Sequence, residues 1–116
     1  MAEINRAAAR IARQALGAHE GYVLGDVGPV GGMLEPYGDL TVEEAGAALA
    51  QQAQALVEGG VDAVILETQA SLEELSLGIQ GAKEAANIIG SCCGSTPEHT
   101  RAIRAVVDRF NAGTKG

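Results

Sequence analysis

Three short apolar runs alternate with longer stretches of helical periodicity, and this alternation restricts the fold more than any other feature of the chain. The runs are Tyr22-Val23-Leu24-Gly25-Asp26, Val61-Asp62-Ala63-Val64-Ile65-Leu66-Glu67 and Ile88-Ile89. The middle run has a near-continuous apolar centre, as expected of a strand in a parallel sheet covered on both sides. The predicted order is α-β-α-β-α-β-α, and strands joined through helices pair in parallel. An eight-stranded barrel of such units usually takes ~250 residues, whereas this chain has 116. The expectation is one α/β domain over residues 1–116: three parallel strands alternating with four helices, open rather than closed. The strand order is expected to be sequential, with the Ile88 strand beside the Val61 strand.

The helices carry their own signals. Ile4, Ala8, Ile11, Ala12, Ala15 and Leu16 recur at helical spacing and predict a buried face. Arg6, Arg10 and Arg13 fall on the other side as a solvated face, and Gly17 is a candidate C-cap. Thr41 and Glu44 have the spacing of a capping box, as do Ser71 and Glu74. Gly59-Gly60 stops the second helix. Leu72, Leu75, Ile79, Ala82 and Ala86 mark the buried side of the third, and Ile103, Val106, Val107 and Phe110 that of the fourth. The loop at 28–39 is glycine-rich but lacks the Gly-x-Gly-x-x-Gly order of a dinucleotide site. It is long for a connection in a βα unit, which makes it a candidate functional loop in which Tyr37 packs.

Composition excludes several classes. The net charge of −7 argues against nucleic acid and against an anionic membrane surface. No apolar run approaches the ~20 residues of a membrane span. Two cysteines do not make a secreted disulfide framework, so a cytoplasmic protein is expected. Glu3 and the absence of nearby serines argue against reading Arg6, Arg10 and Arg13 as part of a transit peptide.

In βα units, ligands collect at the C-terminal ends of the strands. Asp26, Glu67 and the adjacent pair Cys92 and Cys93 all fall there. Asp26 either binds a ligand or caps a turn before a glycine-rich loop. Glu67 closes a very apolar strand, where a carboxylate calls for a cationic partner, either a ligand or another side chain. Cys92 and Cys93 precede Gly94 and a helix start at Thr96-Pro97, and the positive end of a helix favours thiolates. Paired thiolates can grip zinc, although zinc normally takes three or four protein ligands, so two reduced thiols or a redox-active vicinal dithiol are alternatives. His99, in the first turn of that helix, reads as a capping or packing residue before a ligand.

The segment Gly90-Ser91-Cys92-Cys93-Gly94-Ser95-Thr96-Pro97-Glu98-His99 resembles the last metal-binding loop of the homocysteine S-methyltransferase family. Its pattern is Gly-Gly-Cys-Cys-Gly-Thr-Thr-Pro-Glu-His, and this chain differs by serine at 91 and 95. The resemblance continues in pieces: Glu3-Ile4-Asn5-Arg6-Ala7-Ala8-Ala9-Arg10 with the family's second helix, Gly25-Asp26-Val27-Gly28-Pro29 with its third strand, and Ile65-Leu66-Glu67-Thr68 with its fourth. It implies a partial (β/α)8 barrel and zinc as cofactor, with Cys92 and Cys93 as two metal ligands and Glu67 holding the amino group of homocysteine. Asp26 joins Glu67 as a substrate-binding candidate, and no residue is assigned as catalytic. The implied reaction is methyl transfer to the zinc-activated thiol of homocysteine to give methionine. The donor would be a small molecule, or methylcobalamin and methyltetrahydrofolate held by other domains or chains. The family's first strand, with Asp-Gly-Ala/Gly, and its Gly-x-Asn-Cys segment carrying a third zinc cysteine have no counterpart here. The chain reads as N-terminally and internally truncated, passing from the fourth unit to the eighth, with impaired activity expected. A non-catalytic barrel fragment and a vicinal-dithiol redox or metal-binding module are the alternatives, and open sheet edges offer a route to homo-oligomers.

Overall fold

The computed structural model describes residues 1–69, 71–83, 89–91 and 95–113, with the side chains of 89–91 and of Phe110 left aside. Four helices and an open parallel sheet alternate along the chain: α1 (Ala2–Leu16), β1 (Leu24–Val27), α2 (Val42–Gly59), β2 (Ala63–Leu66), α3 (Leu72–Lys83), β3 (Ile89–Ser91) and α4 (Pro97–Gly113). The strand order is β1-β2-β3. Leu24 pairs with Ala63 and Val27 with Leu66 across the first ladder. Val64 pairs with Ile89 and Leu66 with Ser91 across the second.

Local chemistry sets the ends of the helices. Thr41 and Glu44 form the reciprocal capping box at the start of α2, each side chain bonding the other's backbone N–H. Gly60 closes α2 in the left-handed region at φ 106°, which a glycine enters without strain. Gly17 ends α1, its N–H bonded to the Arg13 carbonyl. At α3, the Ser71 hydroxyl accepts the Glu74 N–H at 3.1 Å, as the capping signal predicts. The Glu74 carboxylate instead accepts the backbone N–H of Val30 at 2.7 Å. That half of the expected box is exchanged for a tie between distant parts of the chain.

Helices α2 and α3 pack on one face of the sheet, with α1 laid on α2 and α4 on α3. Val27, Val64 and Leu66 point to that face and are fully buried against Leu49, Leu75 and Ile79. The helices meet closely. A Cβ on Gly59 would lie 2.5 Å from the Ala9 Cβ, and one on Gly81 2.8 Å from the Ala50 backbone nitrogen. The opposite face of β1 is uncovered: Leu24 is 54% exposed and Asp26 is exposed. On the same face of β2, Ala63 is buried and Ile65 half-buried. Tyr22, expected in a buried strand, lies outside β1 and is exposed.

The face of α1 is the reverse of the one its isoleucines suggest. Ile4 and Ile11 are 71% and 65% exposed, while Ala9 is buried. Arg6 turns inward to pair with Glu58, and Arg13 reaches Asp62 at 2.6 Å and the Gly60 carbonyl. Small size and charge pairing, not hydrophobicity, dock this helix. Leu72 is likewise exposed, since it sits on the first turn of α3 beyond the sheet, whereas Leu75, Ile79 and Ala82 are buried as expected. Ile103 and Val106 of α4 pack against the core, and Lys83 donates to the Val107 carbonyl at 3.1 Å. Ala86 lies outside the described residues.

Candidate functional site

Parallel pairing brings the ends of β1 and β2 to one rim. Asp26 lies opposite Ile65, and the Glu67 N–H continues the ladder to the Val27 carbonyl at 3.0 Å. Side chains alternate along a strand, so Asp26 and Glu67 emerge on the same side, Asp26 exposed and Glu67 half-buried. The Glu67 carboxyl is close enough to Asp26 to disfavour its ionised form. Partial desolvation, the hydrogen bond to Glu67 and the charge of Glu67 all raise the Asp26 pKa above the ordinary aspartate value, against an opposing bond from the Val27 backbone. Two carboxyls set side by side favour a cation between them.

Beyond Glu67 the backbone takes an unusual turn. Thr68 has φ 54°, in the left-handed region that β-branched residues rarely adopt. The turn directs Gln69 back over the strand ends, where its Nε2 donates to the carbonyls of Glu67 at 3.2 Å and Val27 at 3.4 Å. Its Oε1 is buried and has no hydrogen-bond partner. Sequence alone weighs Gln69 only as a helper or as a prelude to the Ser71 cap. The one available signal was a long amide side chain directly after a strand-end carboxylate.

The third strand ends on the same rim: Ser91 lies opposite Leu66, the residue before Glu67. Cys92 and Cys93 follow Ser91 in sequence and lie outside the described residues. Among the described residues, no group of three or more His, Cys, Asp or Glu is arranged to hold a metal ion. His99 is a capping residue. Its Nδ1 accepts the Thr96 N–H at 3.1 Å and contacts the Thr96 hydroxyl at 2.8 Å. With Nδ1 accepting, the neutral ring carries its proton on Nε2 and offers no second lone pair to a metal.

The long loop after β1 doubles back on itself, the Glu35 N–H bonding the Leu40 carbonyl at 3.0 Å. With the start of α3 it borders a cavity of about 290 Å³ lined by Met33, Tyr37, Glu73 and Glu74 among others. Tyr37, expected to pack in this loop, is 82% exposed, on the tight turn at residues 34–38. Among the described residues, no helix is long and apolar enough to cross a membrane.

No curated protein is significantly similar to the chain. The family model described as homocysteine S-methyltransferase matches residues 1–84 and, separately, residues 78–107. These two stretches contain all three strand ends and the acidic pair, and the chain belongs to the homocysteine S-methyltransferase family.

Proposed function

We propose that this domain binds homocysteine at the rim of its sheet and presents the thiol for methylation, with turnover well below that of a complete site. The observation that carries the reading is the placing of Asp26 and Glu67 on one side of neighbouring strand ends. The ammonium group of an amino acid would relieve the repulsion between the two carboxylates. Ser91, opposite Leu66 at the end of β3, is followed in sequence by Cys92 and Cys93.

Two thiolates are soft donors suited to zinc, and Cys92 and Cys93 would hold it. They are the only cysteines of the chain, one fewer than the three protein ligands usual at a catalytic zinc. Neither His99, committed to its cap, nor a described carboxylate cluster makes up the number. When bound, zinc supplies a positive charge that converts the thiol of homocysteine to a thiolate near neutral pH. Asp26 and Glu67 fix the amino end and so aim the sulfur. That sulfur forms a bond to the methyl carbon as the bond to the donor breaks, its electron pair leaving with the donor. Among the described residues nothing selects methylcobalamin, methyltetrahydrofolate or a small-molecule donor.

The exposed face of β1, which carries Leu24 and Asp26, corresponds in this reading to the interior face of a (β/α)8 barrel. Its exposure supports reading the three strands as a partial barrel whose open edges invite a second copy. The family model matches in two stretches that meet at residues 78–84, which supports an internal junction there.

Calorimetric titration of L-homocysteine into the zinc-treated full chain tests the reading, alongside metal analysis. Saturable binding that is lost in Glu67→Gln, with zinc retained by the parent chain and lost from the double Cys92→Ser, Cys93→Ser variant, is the expected result. Zinc below roughly a tenth of an equivalent, set against a site that needs three or four ligands, together with no homocysteine binding, would favour the second reading. That reading is a non-catalytic member of the family, and the shortage of cysteine ligands is the observation in its favour.

A further inference from the structure

The first helix is docked on one side only. Arg6, Ala9 and Arg13 turn toward α2, where they meet Glu58, Gly59 and Asp62. On the opposite side, Ile4, Ala7, Ala8 and Ile11 share a second face at the i, i+3, i+4, i+7 spacing of an apolar helix surface. All four are exposed. Their order along the face is large, small, small, large, which is the same in both directions. Turned end over end about a two-fold axis beside Ala7 and Ala8, a second copy sets its Ile11 on Ile4 and its Ile4 on Ile11. The two alanines at the centre let the helices approach closely.

Charge selects the same partner. The chain carries a net charge of −7, so two copies repel in most orientations. Along α1 the balance differs, because Arg6 and Arg13 are neutralised by Glu58 and Asp62. Glu3 and Arg10 remain, both exposed and neither in an ion pair among the described residues. They lie on one flank of the isoleucine face and line a shallow groove with Ile4 and Ala7. The two-fold turn brings Glu3 of each copy alongside Arg10 of the other, offset by two residues or about 3 Å along the axis. Side chains of this length span that offset. We propose that α1 is a self-association surface: it pairs antiparallel with α1 of a second copy, Ile4 against Ile11, flanked by two reciprocal Glu3–Arg10 ion pairs. The inference does not depend on the reading of the rim. A helix of 15 residues is about 22 Å long and ~10 Å across. One such helix per copy buries less than the ~1,200 Å² at which stable specific interfaces begin. The dimer is therefore weak and reversible, with a dissociation constant on the order of 0.1 mM.

Sedimentation equilibrium of the full chain at low salt, from about 10 μM to 1 mM to bracket that constant, tests the proposal. The expected result is a monomer–dimer equilibrium without larger species, since a two-fold contact closes on itself. Ile4→Lys and Ile11→Lys should each weaken it at least about tenfold, because each change acts twice in the dimer. Glu3→Arg and Arg10→Glu set like charges together and should each weaken it about fivefold. The double variant Glu3→Arg, Arg10→Glu keeps the net charge and restores both pairs with signs exchanged. It should return to within about twofold of the parent. Circular dichroism confirms that every variant is folded. A parent chain that stays monomeric to the top of the range would overturn the proposal. So would a dimer that persists in both lysine variants, which would place the contact at a sheet edge. Charge reversals without effect, or a double variant no better than the single ones, would remove the two-fold antiparallel pairing and the proposal with it.

Discussion

Glu74 on α3 reaches across the molecule to Val30, its Oε1 accepting the Val30 N–H at 2.7 Å while the residue is only 5% exposed. It is the buried charged residue among those described, and it fixes the loop after β1 against the start of α3. Removing the acceptor strands a partly buried N–H, which typically costs about 1–3 kcal/mol. Glu74→Ala should lower the unfolding free energy from urea titration by that amount and loosen the 28–40 loop, seen as faster amide exchange at Val30. Glu74→Gln keeps a carbonyl oxygen at the same reach and should lose less. Equal losses for the two variants would show that the hydrogen bond contributes little.

The same residue shows where sequence reading succeeds and where it stops. The Ser71–Glu74 spacing correctly places the start of α3, because a cap is decided within four residues. It could not show that the Glu74 carboxylate serves Val30, 44 positions away. The strand ends at Asp26 and Glu67 were legible for the same local reason: each polar residue terminates an apolar run. Their nearness is a consequence of register, and register is not written in either strand alone. The anchoring of Gln69 depends on two carbonyls brought together by pairing, so only the folded chain reveals it.

The acidic pair makes stability depend on pH in an unusual direction. The Asp26 pKa is raised in the folded state, so the folded chain holds its proton more tightly than the unfolded chain does. The folded state is therefore favoured at low pH. Its advantage drains away as pH climbs from the unfolded aspartate value through the raised folded one. Asp26→Asn removes the titration and keeps a hydrogen-bonding side chain. It should flatten this part of the stability profile, leave the chain at least as stable at neutral pH, and weaken homocysteine binding. Thermal melts from pH 3 to 8, a window chosen about the ordinary carboxylate range, would check it. A slope unchanged in Asp26→Asn would refute the assignment.

Asp62 should behave in the opposite sense. Its carboxylate accepts the Val23 N–H at 2.7 Å and pairs with Arg13 at 2.6 Å. The backbone N–H of Val23 first, and then the Arg13 guanidinium, hold its pKa below the ordinary value. A depressed carboxylate contributes stability that is present above the unfolded pKa and lost as pH falls through the folded one. Asp62→Asn should reduce stability at neutral pH and make acid unfolding begin less steeply. Because the pair is exposed, added salt should erode most of the part that depends on Arg13 and spare the bond to Val23. Denaturation of Asp62→Asn and Arg13→Gln at low and high salt separates the two contributions.

Close helix packing gives a sharper prediction. Gly81 of α3 faces the backbone of Ala50 on α2, and an added Cβ would stand 2.8 Å from both the Cα and the nitrogen of Ala50. Neither backbone atom can step aside as the end of a flexible side chain would. Gly81→Ala should therefore force α2 and α3 apart and cost about 1–3 kcal/mol, the usual range for overpacking, despite the better helix propensity of alanine. Gly46→Ala, on α2, is the control. Its nearest neighbour would be the Leu77 side chain at 3.6 Å, an ordinary contact, and it should be neutral or stabilising. Circular-dichroism melts of the two variants should move in opposite directions.

The reversed face of α1 can be tested by charge. Ile4 and Ile11 are mostly exposed, while Ala9 is buried against α2 at the place where Gly59 leaves room. If the isoleucines formed the docking face, replacing one with lysine would remove a core side chain and bury an ammonium group, a change of several kcal/mol. On the face described here, Ile4→Lys and Ile11→Lys should each stay within about 0.5 kcal/mol of the parent, as exposed substitutions do. Ala9→Leu should instead undock the helix, because the Gly59 backbone lies directly across from it. Arg6 and Arg13 would lose their partners Glu58 and Asp62 in the same event. The measurement is chemical denaturation of all three variants. A large loss in either lysine variant, with Ala9→Leu unaffected, would return α1 to the orientation its hydrophobic pattern predicts.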